Sequence, residues 1–531
     1  MADHEALHEL LAKAGVDSLR YRRALALLGA GRWWTLADLV RETATSRRAI
    51  ESLLRVLPVE HSGDRVRITV DQLNRYNGAG EADISSFEDP VAGVGAAGAS
   101  GAGASGAEAA GTHPDVLARL ETLIAKAPRG RQALDHVSAT AETVLRRALL
   151  LGRRFWLPGA RLLCVGDHDL TSLAVRMLHP EVEVAVADVD DRVLGYIDAQ
   201  DLGVRTRWAD LRLGLPPSLR GWGDLAITDP PYTPEGVGLF AARAAEGLRD
   251  REQGRILVAY GASERTPMLA LKVQKALGEL NLLNEAIFPD FNRYHGAEAI
   301  GSAADLYVLR PTTKTWPAIA ARLDRLATAI YTHGPQSVES APGPVDDVPD
   351  DVTAFEPRLL AGDWPRGLLP STPRVRLGTL LAKPYAADPE RVAIAVPAGL
   401  EAALPRLLLA TRARHVRVVL AEPYQDLPAL AASLSPVYGL TAGGRVIDAV
   451  RLPLPQEGEE RVIRRIMDSA HGKVANTWRE ALAEVAGLTR KQARAAVEEA
   501  APWAADVSPL EMPLERLTGL PAAVTRTLAT V

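Results

Sequence analysis

Four consecutive residues, Asp229-Pro230-Pro231-Tyr232, carry the most specific chemistry in the chain. They follow GDLAIT, an apolar run that reads as a buried strand. Two prolines fix an extended exit from that strand and leave carbonyl oxygens that no helix consumes. A carboxylate and such a carbonyl both accept hydrogen bonds from an amine, and Tyr232 supplies a wall beside it. The site therefore expects an amino-group nucleophile. Asp229 and Tyr232 are its catalytic candidates, and Pro230, Tyr232 and Glu235 are its candidate substrate contacts.

A second set of acids lies upstream, each at the end of an expected strand. RLLCV ends in Gly166-Asp167-His168-Asp169, EVAVAD ends at Asp188 with Asp190 just beyond, and VRTRWAD ends at Asp210. Acids on one rim of a parallel sheet suit an adenosyl sulfonium donor. Gly166 lets the backbone approach the ligand, Asp188 or Asp190 accepts the ribose hydroxyls, and Asp210 takes the adenine amino group. Asp229 completes this donor set. For any one aspartate the competing role is a helix cap. The first loop lacks G-x-G-x-x-G and the chain has no P-loop lysine motif, which disfavours a dinucleotide or nucleoside triphosphate. DPPY alone does not choose the substrate, because it is also associated with enzymes that methylate exocyclic amines of bases.

These groups need a sheet to hold them. Five strand-like runs alternating with helical ones between residues 161 and 261 predict a Rossmann-like, doubly wound α/β sheet of the class I S-adenosylmethionine-dependent transferase type, with ligands beyond the strands' carboxyl ends. The other elements surround it. Residues 1–80 predict three short helices and a hairpin, a winged-helix arrangement in which Arg47 and Arg48 would face nucleic acid or, alternatively, the unit serves packing. Residues 81–114 are a flexible linker rich in Gly, Ala and Ser. The catalytic domain spans 115–332 and a second linker 333–356. A small α/β unit follows at 357–455, with strands RVAIAV and HVRVVLA, and a helical, degenerate winged-helix-like unit at 456–531 has Arg490 and Lys491 after a Thr489 cap. EPY at residues 422–424 reads as a coincidental strand end.

Composition bounds the rest. The chain has 531 residues, 47% hydrophobic and 24% charged, with net charge −5, so no global basic field draws it to nucleic acid or anionic lipid. One cysteine, Cys164, excludes an intrachain disulfide and a thiolate zinc site. No run of about 18 apolar residues is present, and the acidic, amphipathic start lacks the order of a secretory signal. The expectation is a cytoplasmic protein with no membrane contact and no metal.

GDHDLTS at 166–172, DVDDR at 188–192, TDPPYTPEGVGLFAARA at 228–244 and DFNRYHGAEAIGSAADLYVLRPT at 290–312 together resemble the branched-chain polyamine synthase family, over roughly residues 15–80 and 115–315. The resemblance implies an N-terminal winged helix before a Rossmann-like domain, a homodimer, and aminopropyl transfer from decarboxylated S-adenosylmethionine to an amine of a linear polyamine. The family's Gly-Asp-Asp-Asp signature departs here at His168, and its Pro-Pro motif commonly carries Glu where this chain has Tyr232. Two lost acids imply an acceptor with less positive charge. Asp167 or Asp169 is expected to orient and pair with the amine, and His168, with an ordinary pKa near 6.5, suits a proton relay. Two competing readings are a methyl- or aminocarboxypropyltransferase using S-adenosylmethionine itself, whose carboxylate Arg154 or Arg265 would meet, and a winged-helix DNA-binding regulator. Nucleic acid is the less favoured partner.

Overall fold

The structure, a computed structural model, describes residues 2–69, 72, 113–263, 265–297, 300–323, 329–339, 351–386 and 388–529. The first expected linker lies almost wholly outside the described residues, as do residues 340–350 of the second.

Four helices open the chain, Ala2–Ala14, Leu19–Gly29, Leu36–Thr43 and Arg47–Arg55. The first is one more than the sequence pattern predicts. Thr35 and Ser46 cap the last two, accepting the N–H groups of Asp38 and Ala49. Strands β1 (Trp34–Thr35), β2 (Glu60–Ser62) and β3 (Arg65–Arg67) form a small antiparallel sheet in the order β1-β3-β2. Leu7, Leu25, Leu28, Leu39, Ile50 and Leu53 make a core of its own. Arg47 pairs with Glu51 at 2.8 Å, one turn along its own helix.

The central sheet holds β4 (Arg161–Val165), β5 (Glu183–Asp188), β6 (Arg205–Trp208), β7 (Leu225–Thr228), β8 (Arg255–Tyr260), β9 (Leu283–Arg293) and β10 (Ala303–Arg310), in the order β6-β5-β4-β7-β8-β10-β9. The first five are parallel. Successive residues serve opposite faces: Leu162, Cys164, Val184 and Val186 enter one core, and Leu163, Val165, Ala185 and Ala187 the other. The chain reverses direction across the sheet between β4 and β7, which leaves a crevice at their carboxyl ends. β10 runs antiparallel to both β8 and β9, so the sheet is mixed. The reason is length, since residues 294–302 are too few for the crossover that a parallel return requires.

A second sheet follows, with β11 (Leu359–Ala361), β12 (Arg374–Val375), β13 (Arg391–Val396), β14 (His415–Leu420), β15 (Tyr438–Gly443) and β16 (Val446–Arg451) in the order β12-β11-β13-β14-β16-β15. It is larger than the two strands the sequence suggests. Its order is that of the first sheet with β6 left out, including a final antiparallel pair whose last strand in sequence is inserted. The sequence carries an echo. Arg161-Leu162-Leu163 leads through β4 to Gly166-Asp167, and Arg358-Leu359-Leu360 leads through β11 to Gly362-Asp363. Both glycines have positive φ, +73° and +90°. Helices Gly458–Asp468, Val474–Ala486, Arg490–Ala500 and Leu520–Ala529 end the chain, with a Thr489/Gln492 capping box. One apolar core runs from Leu162 and Val184 through Val392 and Leu407 to Trp478, so the central and C-terminal units are packed as one body. Among the described residues no helix is long and apolar enough to cross a membrane.

Candidate active site

A cleft opens at the carboxyl ends of β4 to β7, lined among others by Gly166, His168, Asp188, Asp210, Arg212, Asp229, Pro231 and Tyr331. Gly166 needs its φ of +73°, and a Cβ there would meet the ring of Phe240 at 3.4 Å. Asp188 closes β5 and accepts the N–H groups of Asp167 and Asp190 on its two oxygens at 2.9 and 2.8 Å. Burial raises its pKa against those two bonds. Asp210 is clamped by Arg212 through two bonds of 2.8 and 2.6 Å. Arg212 also donates to the Gly399 carbonyl at 2.8 Å, and its other terminal nitrogen, Nη1, is buried without a partner.

His168 stacks on His136, ring centres 4.5 Å apart and parallel, and its Nε2 lies 2.8 Å from the Val137 carbonyl. A carbonyl can only accept, so Nε2 keeps its hydrogen and Nδ1 is the nitrogen that titrates. Burial is the largest influence on His168 and lowers its pKa, but the Asp169 carboxylate, the Val137 carbonyl and the Asp229 and Asp188 charges together outweigh it, and the net shift is upward. For His136, burial and then the His168 charge push the pKa down to about 3.

Asp169 and Asp229 meet across Arg147. The Arg147 guanidinium, buried in helix Ala141–Arg154, donates to Asp169 Oδ2 at 2.9 Å and to Asp229 Oδ2 at 2.6 Å. The other Asp169 oxygen takes the Ala139 N–H at 2.8 Å. Burial works to raise the pKa of Asp169, yet His168 and Arg147 hold it at about 2. Asp229 also faces the hydroxyls of Tyr232 at 3.0 Å and Tyr294 at 2.7 Å, which lie 2.8 Å from each other. With one proton each, the two phenols satisfy two of these three contacts at a time. Burial, reinforced by Asp229, raises both phenol pKa values well above 10.

Sequence reasoning missed Arg147, Asn292, Tyr294, His136 and Arg212. The signal for Arg147 was present, as Arg146-Arg147 interrupts the apolar helix run TVLRRALLL. Asn292 and Tyr294 lie in DFNRYHG, singled out for resemblance but given no role. Other expected site residues sit elsewhere. Asp167, like Asp169 and Tyr232, is not part of the cleft lining; it is buried and accepts the Ser172 N–H at the start of helix Thr171–Leu178, with burial raising its pKa to about 7. Asp190 caps helix Asp191–Asp198 and is held by Arg192 at 2.6 Å. Pro230 is buried, Pro231 faces the cleft, and Glu235 is exposed on the first turn of helix Pro234–Glu246. Arg154 pairs with Glu285 at 2.6 Å, and Arg265 is exposed, so neither lines the cleft. Among the described residues no three His, Cys, Asp or Glu side chains converge as metal ligands.

Residues 115–340 match the family described as the branched-chain polyamine synthase A C-terminal domain, and this segment builds the cleft. An uncharacterised protein of Methanocaldococcus jannaschii is 36% identical over 193 residues, 35% of this chain and 48% of that one. The N(4)-bis(aminopropyl)spermidine synthase of the same organism is 28% identical over 190 residues, 34% of this chain and 53% of that one. The chain thus spans about half the length of these curated relatives. Among solved structures, the branched-chain polyamine synthase of Thermus thermophilus, in complex with N4-aminopropylspermidine and 5'-methylthioadenosine, is 20% identical, covering 58% of this chain and 92% of that one with a TM-score of 0.34. The resemblance expected from the motifs is found in these matches.

Proposed function

We propose that this chain transfers the aminopropyl group of decarboxylated S-adenosylmethionine to an amine of a polyamine-type acceptor. The observation that carries this reading is the family match over residues 115–340, the segment holding every group on the β4 to β7 rim. In it the central unit is a Rossmann-like domain of the class I S-adenosylmethionine-dependent type, the N-terminal unit is a winged helix, and the protein is a cytoplasmic homodimer. Domain boundaries near 80, 115, 333, 357 and 456 belong to the same reading.

Gly166 and Asp188 hold the donor's ribose end, and Asp210 with Arg212 meets its adenine, where the unpaired Arg212 Nη1 has a ring nitrogen to donate to. Asp169, Asp229, Pro231 and Tyr232 form the acceptor side. Attack by the amine lone pair forms the new N–C bond as the C–S bond breaks, the C–S electrons remain on sulfur as a neutral thioether, and the nitrogen gives up one proton. A free alkylamine holds that proton with a pKa near that of lysine, about 10.4. His168 Nδ1 is the relay base in this scheme, and Asp169, pinned at about 2, orients without accepting the proton. Asp167 and Asp190 serve as caps, leaving Asp188 the ribose contact.

Isothermal titration with decarboxylated S-adenosylmethionine and, separately, with S-adenosylmethionine tests the reading. Tighter binding of the decarboxylated donor by about tenfold is expected, since among the described residues Arg212 is the one arginine or lysine that lines the cleft and all of its terminal group but Nη1 is already engaged. Tighter binding of the carboxylated form would transfer the assignment to methyl or aminocarboxypropyl chemistry. Silence from both would remove the transferase reading.

A further inference from the structure

All four oxygens of the Asp169–Asp229 pair are already engaged from within the protein. Asp169 Oδ1 takes the Ala139 N–H and Oδ2 takes Arg147 Nη1, while Asp229 Oδ1 takes Tyr232 and Oδ2 takes Arg147 Nη2 and Tyr294. Arg147 is not poised to swing away. Its Nε donates to Asn292 Oδ1 at 2.8 Å, Nη1 also reaches Thr171 at 3.3 Å, and Asn292 is anchored to the carbonyls of Ala304 and Asp305 at 3.2 Å each. A buried guanidinium bridging two carboxylates occupies the electrostatic position an acceptor ammonium would otherwise take.

We propose that Arg147 is a built-in counter-cation of the acceptor site, standing in for one ammonium group, so that the acceptor is a short diamine rather than a triamine or tetramine. This rests on the aminopropyl-transfer reading and specifies its substrate class. With both acids ionised and the His168 ring, 3.4 Å from Asp169 Oδ1, neutral as a base must be, two carboxylates against one guanidinium leave one negative charge for the incoming amine. Of the other acids, Asp210 is paired with Arg212 and Asp190 with Arg192, Asp188 is tied to two backbone N–H groups and is the ribose contact in this reading, and Asp135 accepts from Thr332 and faces His333, so little remains to hold a longer polycation. The fixed positive charge has a second consequence. Beside Arg147 the attacking nitrogen is less readily protonated, which favours the lone pair the transfer consumes. Tyr232 acts in the same direction because it donates a hydrogen bond to Asp229 without adding charge.

The test compares 1,3-diaminopropane, 1,4-diaminobutane, spermidine and spermine as acceptors, at saturating donor, for the wild type, Arg147→Met and Arg147→Lys. The wild type is expected to show its highest kcat/KM with a diamine. Arg147→Met should raise the spermidine-to-diaminobutane ratio of kcat/KM by about tenfold, the lower end of what one charged hydrogen bond contributes. Arg147→Lys should keep the wild-type order, which a purely structural role for the side chain would not require. Amine binding without donor, read by titration and by the Tm shift each amine produces, supplies a measurement independent of turnover. There spermidine should stabilise Arg147→Met more than the wild type. A wild type that binds and turns over spermidine or spermine best, with an order unchanged in Arg147→Met, overturns the proposal. Absence of turnover with every amine while the diamine preference in binding persists would count against aminopropyl transfer and leave the role of Arg147 standing.

Discussion

At the scale of single residues, the acids of the cleft differ less in position than in what holds them. Asp169 is pinned low, at about 2, so it is ionised at any working pH and is a poor proton acceptor. Against burial, His168 is shifted upward by that same carboxylate and its neighbours. Its folded pKa lies above the unfolded value near 6.5, so its contribution to stability is complete below pH 6.5 and is lost as pH rises through the folded value. As a base it acts in the opposite window, because Nδ1 is free only above that raised pKa. Turnover by the wild type should therefore climb with pH through neutrality. His168→Ala should lose the climb and about a hundredfold in kcat on the alkaline side, the modest end of general-base effects. A pH–rate profile from 6 to 9 decides it, and an unchanged profile in His168→Ala would end the relay assignment. Asp167 runs the other way. Its carboxyl, raised by burial to about 7, costs stability as pH rises from about 4 to 7, so Asp167→Asn should raise Tm at pH 8 by about 2 °C and leave it unchanged at pH 4. Thermal melts at the two pH values check this, and equal effects at both would show that the charge is not what burial penalises there.

Among elements, the informative one is the loop that follows β13. β13 pairs with β11 as β7 pairs with β4, so Pro397-Ala398-Gly399 stands in the second sheet where Asp229-Pro230-Pro231 stands in the first. The second loop has no acid and presents carbonyls instead. Ala398 accepts from Gln336 and Gly399 from Arg212, whose other bonds clamp Asp210 in the cleft. Gly399 has φ +82°, and a Cβ would fall 2.8 Å from Gln336 Cγ. Gly399→Ala should displace the carbonyl, loosen Arg212 and weaken donor binding by about tenfold. Titration with donor measures it, and full affinity would mean that the loop only fills space. This loop also shows where sequence reading stops. Strand ends were legible because apolar runs of five or six residues break at Gly or Asp, and Gly166, Asp188, Asp210 and Asp229 were found that way. Partners such as Arg147 to Asp229, 82 positions apart, and Arg212 to Gly399, 187 apart, obey no local period and exist only once the sheet is closed. The β9–β10 and β15–β16 hairpins were missed for a related reason, since exposed residues interrupt their patterns.

Across the whole molecule, the second sheet is joined to the first by more than a tether. The shared apolar core runs through both, and among the described residues four arginines form ion pairs across the seam: Arg205 and Arg207 to Asp506, Arg406 to Asp191, and Arg516 to Asp198. Gly362, the counterpart of Gly166, opens no comparable space, because a Cβ there would lie 2.4 Å from the Ala395 carbonyl while Trp364 is buried alongside. A repeated topology whose strand-end glycine packs against its neighbouring strand, and whose β13 loop braces Arg212 in the first sheet's cleft, is part of the scaffold of that first unit. Units joined this way should unfold together, so calorimetry should show one transition covering the central and C-terminal units rather than two. Arg406 is the sharpest probe of the coupling. It is buried and donates to both oxygens of Asp191 at 3.0 and 2.8 Å and to the Met512 carbonyl at 2.8 Å. Arg406→Met should destabilise that single transition by about 2 kcal/mol, less than the 3–5 kcal/mol of a fully buried broken pair because Asp191 keeps some water and the Leu514 N–H. Two resolved transitions in the wild type, or an Arg406→Met effect confined to the later part of the chain, would show instead that the two sheets fold as independent bodies.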